Sequence, residues 1–211
     1  MSQERRLSDQ YFADIYEATS DPWRLGERWY EERKYAITVA MLPSQRYLHA
    51  FEAGCSVGVL TEKLTERCDH VTSIDVADLA LRATGDRLQS CGRLDRATLR
   101  RASLDDAWPA GPFDLVVLSE VAYYLHAETL REVLDRECSR LADGATVIAA
   151  HWRHRVDDYP LSGDEANELI LATPGLVGLG RYVDADVVID VLTKGSAQSV
   201  ATQTGVPGAP G

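Results

Sequence analysis

No run of the chain approaches the ~18 uninterrupted apolar residues that span a bilayer, and the start MSQERRLSDQ lacks the apolar core of a secretion signal. A cytoplasmic protein without a membrane partner is therefore expected. Basic residues are scarce beside acidic ones, 22 Lys and Arg against 33 Asp and Glu. The resulting formal charge of −11 repels a phosphate backbone and leaves no broad basic face, so nucleic acid is not expected as a partner. Cysteine is sparse too: Cys55, Cys68, Cys91 and Cys138 stand far apart, with no C-x-x-C pair and no His at ligand spacing beside them. Neither a structural metal nor dithiol redox chemistry is expected, and the four read as free thiols in a reducing compartment. Beyond Lys194 apolar residues give out. The stretch GSAQSVATQTGVPGAPG cannot bury enough surface to order itself, so residues 195–211 read as a disordered tail.

What remains suits one domain over residues 1–194. The 211-residue chain is 45% hydrophobic and 26% charged, a globular balance with enough apolar side chain for a core. Residues 8–42 read as helical, and the run from Glu27 to Tyr35 spaces aromatics among charges at helix-like intervals. Asp21-Pro22 opens the second helical stretch or a turn just before it, and Pro43 ends it. Short apolar runs then alternate with amphipathic segments. Strands are predicted at 47–53, 70–75, 97–102, 113–118 and 145–150, with helices near 57–67, 77–91 and 127–141. Crossovers of this length imply an α/β fold, a parallel sheet with helices on both faces. The rhythm breaks at the end, where 176–183 and 185–193 flank a short turn at Asp184 and should pair as an antiparallel hairpin.

The densest chemical signal is Phe51-Glu52-Ala53-Gly54-Cys55-Ser56-Val57-Gly58, after the first strand and opening a helix. Glycine at 54 and 58 lets the backbone turn tightly and lets a ligand approach main-chain atoms. Asp75 follows Gly54 by 21 residues, at the end of the next strand, where a carboxylate can accept both hydroxyls of a ribose. It can equally cap the following helix. The spacing is not the G-x-G-x-x-G of nicotinamide cofactors, since Ser56 replaces the middle glycine. Anionic Glu52 disfavours a pyrophosphate and suits an ammonium, so a nucleoside with an amino-acid arm fits better than a dinucleotide. A plain strand-to-helix connection would also need glycine here.

On these residues the sequence resembles the class I S-adenosylmethionine-dependent methyltransferases. The resemblance implies that the turn around Glu52, Gly54, Cys55 and Gly58 cradles the amino-acid moiety, and that Asp75, with Val76 beside it, binds the ribose. Further matches are Phe113-Asp114-Leu115-Val116-Val117-Leu118 opening the fourth strand and Leu141-Ala142-Asp143-Gly144-Ala145 before the fifth. The family usually has L-x-P-G-G at the latter, from which Asp143 and Ala145 depart. Within the class, Asp21-Pro22-Trp23-Arg24-Leu25, Tyr30-Glu31-Glu32-Arg33, the helix holding Glu62-Lys63-Leu64, and Glu120-Val121-Ala122-Tyr123-Tyr124-Leu125 look like the nodulation N-methyltransferase (NodS-like) subfamily, which N-methylates a deacetylated glucosamine on a chitooligosaccharide. The fold so implied is a Rossmann-like seven-stranded sheet, five parallel strands plus the terminal hairpin, with residues 1–43 as an N-terminal helical lid.

The resemblance also places the remaining candidates. The loop after the third strand should cover the adenine: the Ser103 hydroxyl or the backbone accepts its amino group, Leu104 packs on the ring, and Trp108 fills core or surface. After the fourth strand Ser119 borders the cofactor. Glu120 steers a cationic acceptor there, and Tyr124 or Tyr123 hydrogen-bonds it or packs the next helix. His151, ending the fifth strand, is the candidate general base; a histidine held there for structure is the other reading. Trp23, Tyr30 and Arg33 form the lid, with Arg33 or Lys34 pairing the cofactor carboxylate, unless the helix is merely packed on the sheet. The implied cofactor is S-adenosyl-L-methionine, leaving S-adenosyl-L-homocysteine, with no metal. A small-molecule acceptor is expected, an amino sugar or glycoside amine, on a monomer or homodimer. An O-methyltransferase of secondary metabolism and a non-catalytic cofactor-binding protein stand as alternatives.

Overall fold

In the computed structural model, which describes residues 6–209, strand β4 (Leu115–Ser119) shows why the chain builds a two-faced sheet. All of its residues are buried, as a central strand covered on both sides requires. Leu115 and Val117 enter one core, while Val116 and Leu118 enter the other. Strands β1 (Tyr47–Ala53) and β5 (Thr146–Trp152) repeat the division. Phe51, Val147 and Ala149 join Val116, whereas Ala50, Ile148 and Ala150 join Leu115.

Around them stand β2 (Cys68–Asp75), β3 (Ala97–Arg101), β6 (Leu176–Val183) and β7 (Val187–Lys194), in the order β3-β2-β1-β4-β5-β7-β6. Strands β1 to β5 run parallel, and β7 is antiparallel to both β5 and β6, as the sequence predicts. The order reverses between β1 and β4, so the carboxyl ends of these strands border a crevice. One face is covered by α5 (Ala127–Cys138) and α6 (Gly163–Leu171) through Leu130, Val133 and Ile170. The other is covered by α2 (Trp29–Ala40), α3 (Val59–Arg67) and α4 (Asp78–Ser90) through Tyr35, Leu64 and Ala80. Helix α1 (Asp9–Ala18) lies ahead of them in the chain and belongs to the lid segment. Of the expected lid and tail, residues 1–5 and 210–211 lie outside the described residues.

Of the two readings of Asp21-Pro22, the structure shows the turn: the Asp21 carboxylate accepts the Leu25 and Gly26 N–H groups at 2.9 and 3.2 Å, and the second helix starts at Trp29. Helix α6 was not foreseen, although Ser162 and Glu165 form a capping box at its start and Ala166 and Ile170 give it a buried stripe. In the expected tail the chain forms one helical turn, α7 (Val200–Gln203), capped by Ser199 and burying none of its residues.

Gly58 serves packing between helices, which corrects its assignment to the ligand turn. It precedes α3 at φ 78°, and a Cβ there would lie 2.9 Å from Thr84 Cα in α4. Thr84 backbone cannot yield as a flexible side chain would. Gly58→Ala is therefore expected to cost about 3 kcal/mol, combining left-handed strain with overpacking. Urea unfolding checks this, and a loss below about 1 kcal/mol would show that α3 and α4 can separate cheaply.

Candidate active site

A cavity of about 310 Å³ occupies the crevice. Its floor is made at the carboxyl ends of three parallel strands: Glu52, Gly54, Cys55 and Ser56 at the end of β1, Asp75 and Val76 at that of β2, Ser119 and Glu120 at that of β4. Ser103 and Leu104 close one side, and Tyr123, Tyr124, Trp152 and Tyr159 the other. The helical segment ahead of β1, the expected lid, lines the cavity through Phe12, Tyr16, Trp23, Arg28, Tyr30, Glu31 and Lys34. Three contacts pin its leading end: Arg6 to Asp105 at 2.8 Å, the Leu7 N–H to the Tyr124 carbonyl at 3.0 Å, and the Tyr16 hydroxyl to Ser56 Oγ at 2.6 Å.

The strand-end turn holds its carboxylates with backbone. Gly54 sits at φ 74°, where a Cβ would come within 3.0 Å of Val121 Cγ2, so bare main chain faces the cavity at this point. Ser56 is also left-handed, at φ 50°, which aims its N–H at Asp75 Oδ2 at 2.9 Å; the Ala77 N–H takes Oδ1 at 2.9 Å. Each oxygen keeps lone-pair capacity for a ligand hydroxyl. Burial raises the Asp75 pKa against these N–H groups. Glu52 is buried more deeply. Its Oε2 accepts from Thr61 and Ser73 hydroxyls, both at 2.7 Å, and burial pushes the carboxyl up to about 7. An ammonium brought against it would favour the ionised form.

At the other end the Lys34 ammonium, 1% exposed, lies 2.7 Å from Glu31 Oε2 and 2.7 Å from Glu120 Oε1. Glu120 adopts φ 54°, a strained setting for a non-glycine residue. Its Oε2 accepts from the Tyr123 hydroxyl and the Trp152 N–H at 2.7 and 2.8 Å. Burial pulls the Glu120 pKa up, but Lys34 and its other partners outweigh this and hold it below the ordinary range. Lys34 also lies 5.4 Å from the Tyr30 ring centre. Three buried oxygens on the walls, Tyr30 OH, Ser119 Oγ and Glu31 Oε2, have no hydrogen-bond partner among the described residues, the last making only its ion contact with Lys34. Buried polar groups are normally satisfied, so all three mark places where a polar ligand belongs.

Of the residues singled out in the sequence, the structure brings Glu52, Gly54, Cys55, Asp75, Val76, Ser103, Leu104, Ser119, Glu120, Tyr124, Trp23 and Tyr30 onto one cavity. Ser103 spends its hydroxyl proton on Asp105 and remains an acceptor; Tyr124 OH is 3.5 Å from Tyr159 OH. Trp108 is core, its indole N–H on the Leu104 carbonyl at 3.2 Å.

Two placements are corrections. His151 is fully buried and off the cavity wall: Nε2 accepts the Ala122 N–H at 3.1 Å and Nδ1 donates to Asn167 Oδ1 at 2.6 Å, so neither nitrogen is available as a general base. Burial, foremost, lowers its pKa and keeps the ring neutral. Arg33 turns away to Asp184 and Tyr182; Arg28 lines the cavity instead, along with the ion-paired Arg6, and its side chain makes no ion pair or hydrogen bond among the described residues. Sequence reasoning missed Arg28, Tyr16 and Glu31. The Glu31/Lys34 spacing on one helix face was the signal available for the last of these.

Comparison with known proteins identifies a family and a shared fold. The family model described as Nodulation protein S (NodS) matches residues 12–159. A Nodulation protein S from Sinorhizobium fredii (strain NBRC 101917 / NGR234) is 31% identical over 194 residues, covering 84% of this chain and 85% of its own. One from Bradyrhizobium diazoefficiens is 31% identical over 145 residues, 66% of each chain. Among solved structures, N-methyltransferase NodS from Bradyrhizobium japonicum WM9, in complex with S-adenosyl-L-homocysteine, shares the fold at a TM-score of 0.78 and 23% identity, over 89% of this chain and 99% of its own.

The buried Glu52 carboxyl makes stability depend on pH. Its pKa is raised in the folded state, so its contribution is full below about 4.5 and is lost as pH rises through about 7. Glu52→Gln mimics the neutral form. In the ligand-free protein it should change little at pH 5 and stabilise by up to about 3 kcal/mol at pH 8. Thermal unfolding at the two pH values tests this; equal effects at both would mean that Glu52 is ionised without penalty.

Proposed function

The chain belongs to the nodulation protein S family and is an S-adenosylmethionine-dependent methyltransferase, and from that premise we propose that it methylates the amine nitrogen of a small polar acceptor, an amino sugar or glycoside amine. The observation that carries this reading is the anionic end of the cavity, where two carboxylates, Glu31 and Glu120, share one lysine. A cationic amine is attracted there. A hydroxyl acceptor carries no charge for this end of the cavity to attract, and His151, the histidine expected as its base, has both nitrogens engaged.

The cofactor fits the other end. Asp75 offers oxygens for the two ribose hydroxyls, Glu52 a carboxylate for the ammonium, and the orphaned Ser119 Oγ a polar contact beside the bare backbone of Gly54. Ser103 and Leu104 form the adenine side, and Arg28, in place of Arg33, pairs the carboxylate. When bound, S-adenosylmethionine would supply an electrophilic sulfonium methyl for an in-line transfer to the acceptor nitrogen, with S-adenosylhomocysteine as the leaving group that keeps the C–S electron pair. The protein's share is positioning and water exclusion under the lid. Tyr30, whose ring already faces the Lys34 ammonium, and Trp152 in edge contact with it offer π faces to the charge that appears on nitrogen. The catalytic domain in this reading ends near residue 194.

Methyl-labelled cofactor incubated with glucosamine, other amino sugars and phenols should place label on amines. Label confined to phenols would sink the amine assignment. In calorimetry with S-adenosylhomocysteine, Asp75→Ala should weaken binding by about 100-fold through loss of charge-assisted ribose bonds. Undiminished affinity would remove Asp75 from the cofactor site.

A further inference from the structure

We propose that Glu31, on the lid helix, receives the acceptor as an ammonium and takes one proton from it before methyl transfer. This rests on the amine reading given above.

An amine that arrives protonated has no lone pair with which to attack. Something on the cavity wall must break one N–H bond, leaving the electron pair on nitrogen and forming an O–H or N–H bond elsewhere. The candidates narrow by geometry. Glu120 has Oε1 on Lys34 and Oε2 on both Tyr123 and the Trp152 N–H. Lys34 is itself an ammonium whose two carboxylates hold it charged, and His151 is closed off. Glu31 differs. Its side chain is 9% exposed, its one polar partner among the described residues is the ion contact of Oε2 with Lys34, and that oxygen accepts no hydrogen bond. The orphaned hydroxyl of Tyr30, its chain neighbour, lines the same cavity and supplies a second contact for an ammonium.

The proton transfer is chemically balanced. An ammonium and a carboxylate become an amine and a carboxylic acid, total charge is unchanged, and the acid returns its proton to solvent when the lid opens. A water-poor site favours the neutral pair over the ion pair. The charged and titratable groups facing Glu31 are Lys34, Arg28, Tyr30 and Tyr35 from its own helix and helix start, and Glu120 from the loop after β4. Burial raises the Glu31 carboxyl against the pull of Lys34, which brings it nearer to an amine in basicity.

Two substitutions in the full chain, Glu31→Gln and Glu31→Asp, provide the test, with glucosamine as the probe. Calorimetry on the protein loaded with S-adenosylhomocysteine reads amine binding apart from turnover. Glu31→Gln is expected to keep cofactor affinity within about twofold, weaken glucosamine binding about tenfold, lower kcat about 100-fold and erase the acidic limb of the pH–rate profile. Glu31→Asp should retain that limb with kcat reduced about tenfold, because the charge beside Lys34 stays while its reach shortens. Should Glu31→Gln fail to bind cofactor, the aspartate variant decides: wild-type kcat overturns the proposal. So does a glutamine variant with kcat within threefold of wild type and an unchanged acidic limb. A wild-type protein that binds S-adenosylhomocysteine yet neither binds nor methylates any amine overturns the amine reading itself, and the role of Glu31 with it.

Discussion

One buried ammonium joins the two halves of this protein. Lys34 extends from the lid helix to Glu120, 86 residues further along the chain at the end of a central strand, and is clasped by Glu31 from its own helix. Removing a partner from a buried ion pair leaves an uncompensated charge, at a cost of about 3–5 kcal/mol, so the lid and the strand end hold one another in place. With one cation between two anions the cluster keeps a net negative charge, and that charge faces the cavity.

Both ends of the cavity also work by restraint of backbone. Ser56 and Glu120 both sit at positive φ, settings that cost a non-glycine side chain on the order of 1–3 kcal/mol, and both line the cavity. The strain has visible uses: at Ser56 it turns an N–H onto Asp75, and at Glu120 it delivers a carboxylate to Lys34. Helix α6 fixes the floor from behind. Its Asn167 bridges His151 and Asp190, at 2.6 and 2.7 Å, and the histidine in turn holds the Ala122 N–H of the loop that carries Glu120 and Tyr123. His151 is thus a structural part of the site without touching its contents.

The fold was legible because its signals are periodic. Strand alternation, the glycine turn and the acid 21 residues later depend on local sequence, and each appears where expected. The errors have separate causes. With α6 overlooked, Asn167 had no place, and a strand-end histidine looked available when a helix beginning twelve residues beyond it had already claimed the ring. Arg33 is drawn away by Asp184 and Tyr182, 151 and 149 residues further along the chain, partners that no local pattern reveals.

By itself the sequence determined the succession of strands and helices, the parallel sheet with its terminal antiparallel hairpin, and the glycine turn with the acid at the end of the next strand, because backbone geometry and hydrophobic period are written residue by residue. Tertiary structure alone decided which charges meet. Glu31, Lys34 and Glu120 come together only when a helix from the start of the chain is laid across a strand end from its middle, and His151 loses its freedom only when α6 packs behind it. Coulomb energy and hydrogen bonding act through distance in space, and the sequence records separation along the chain.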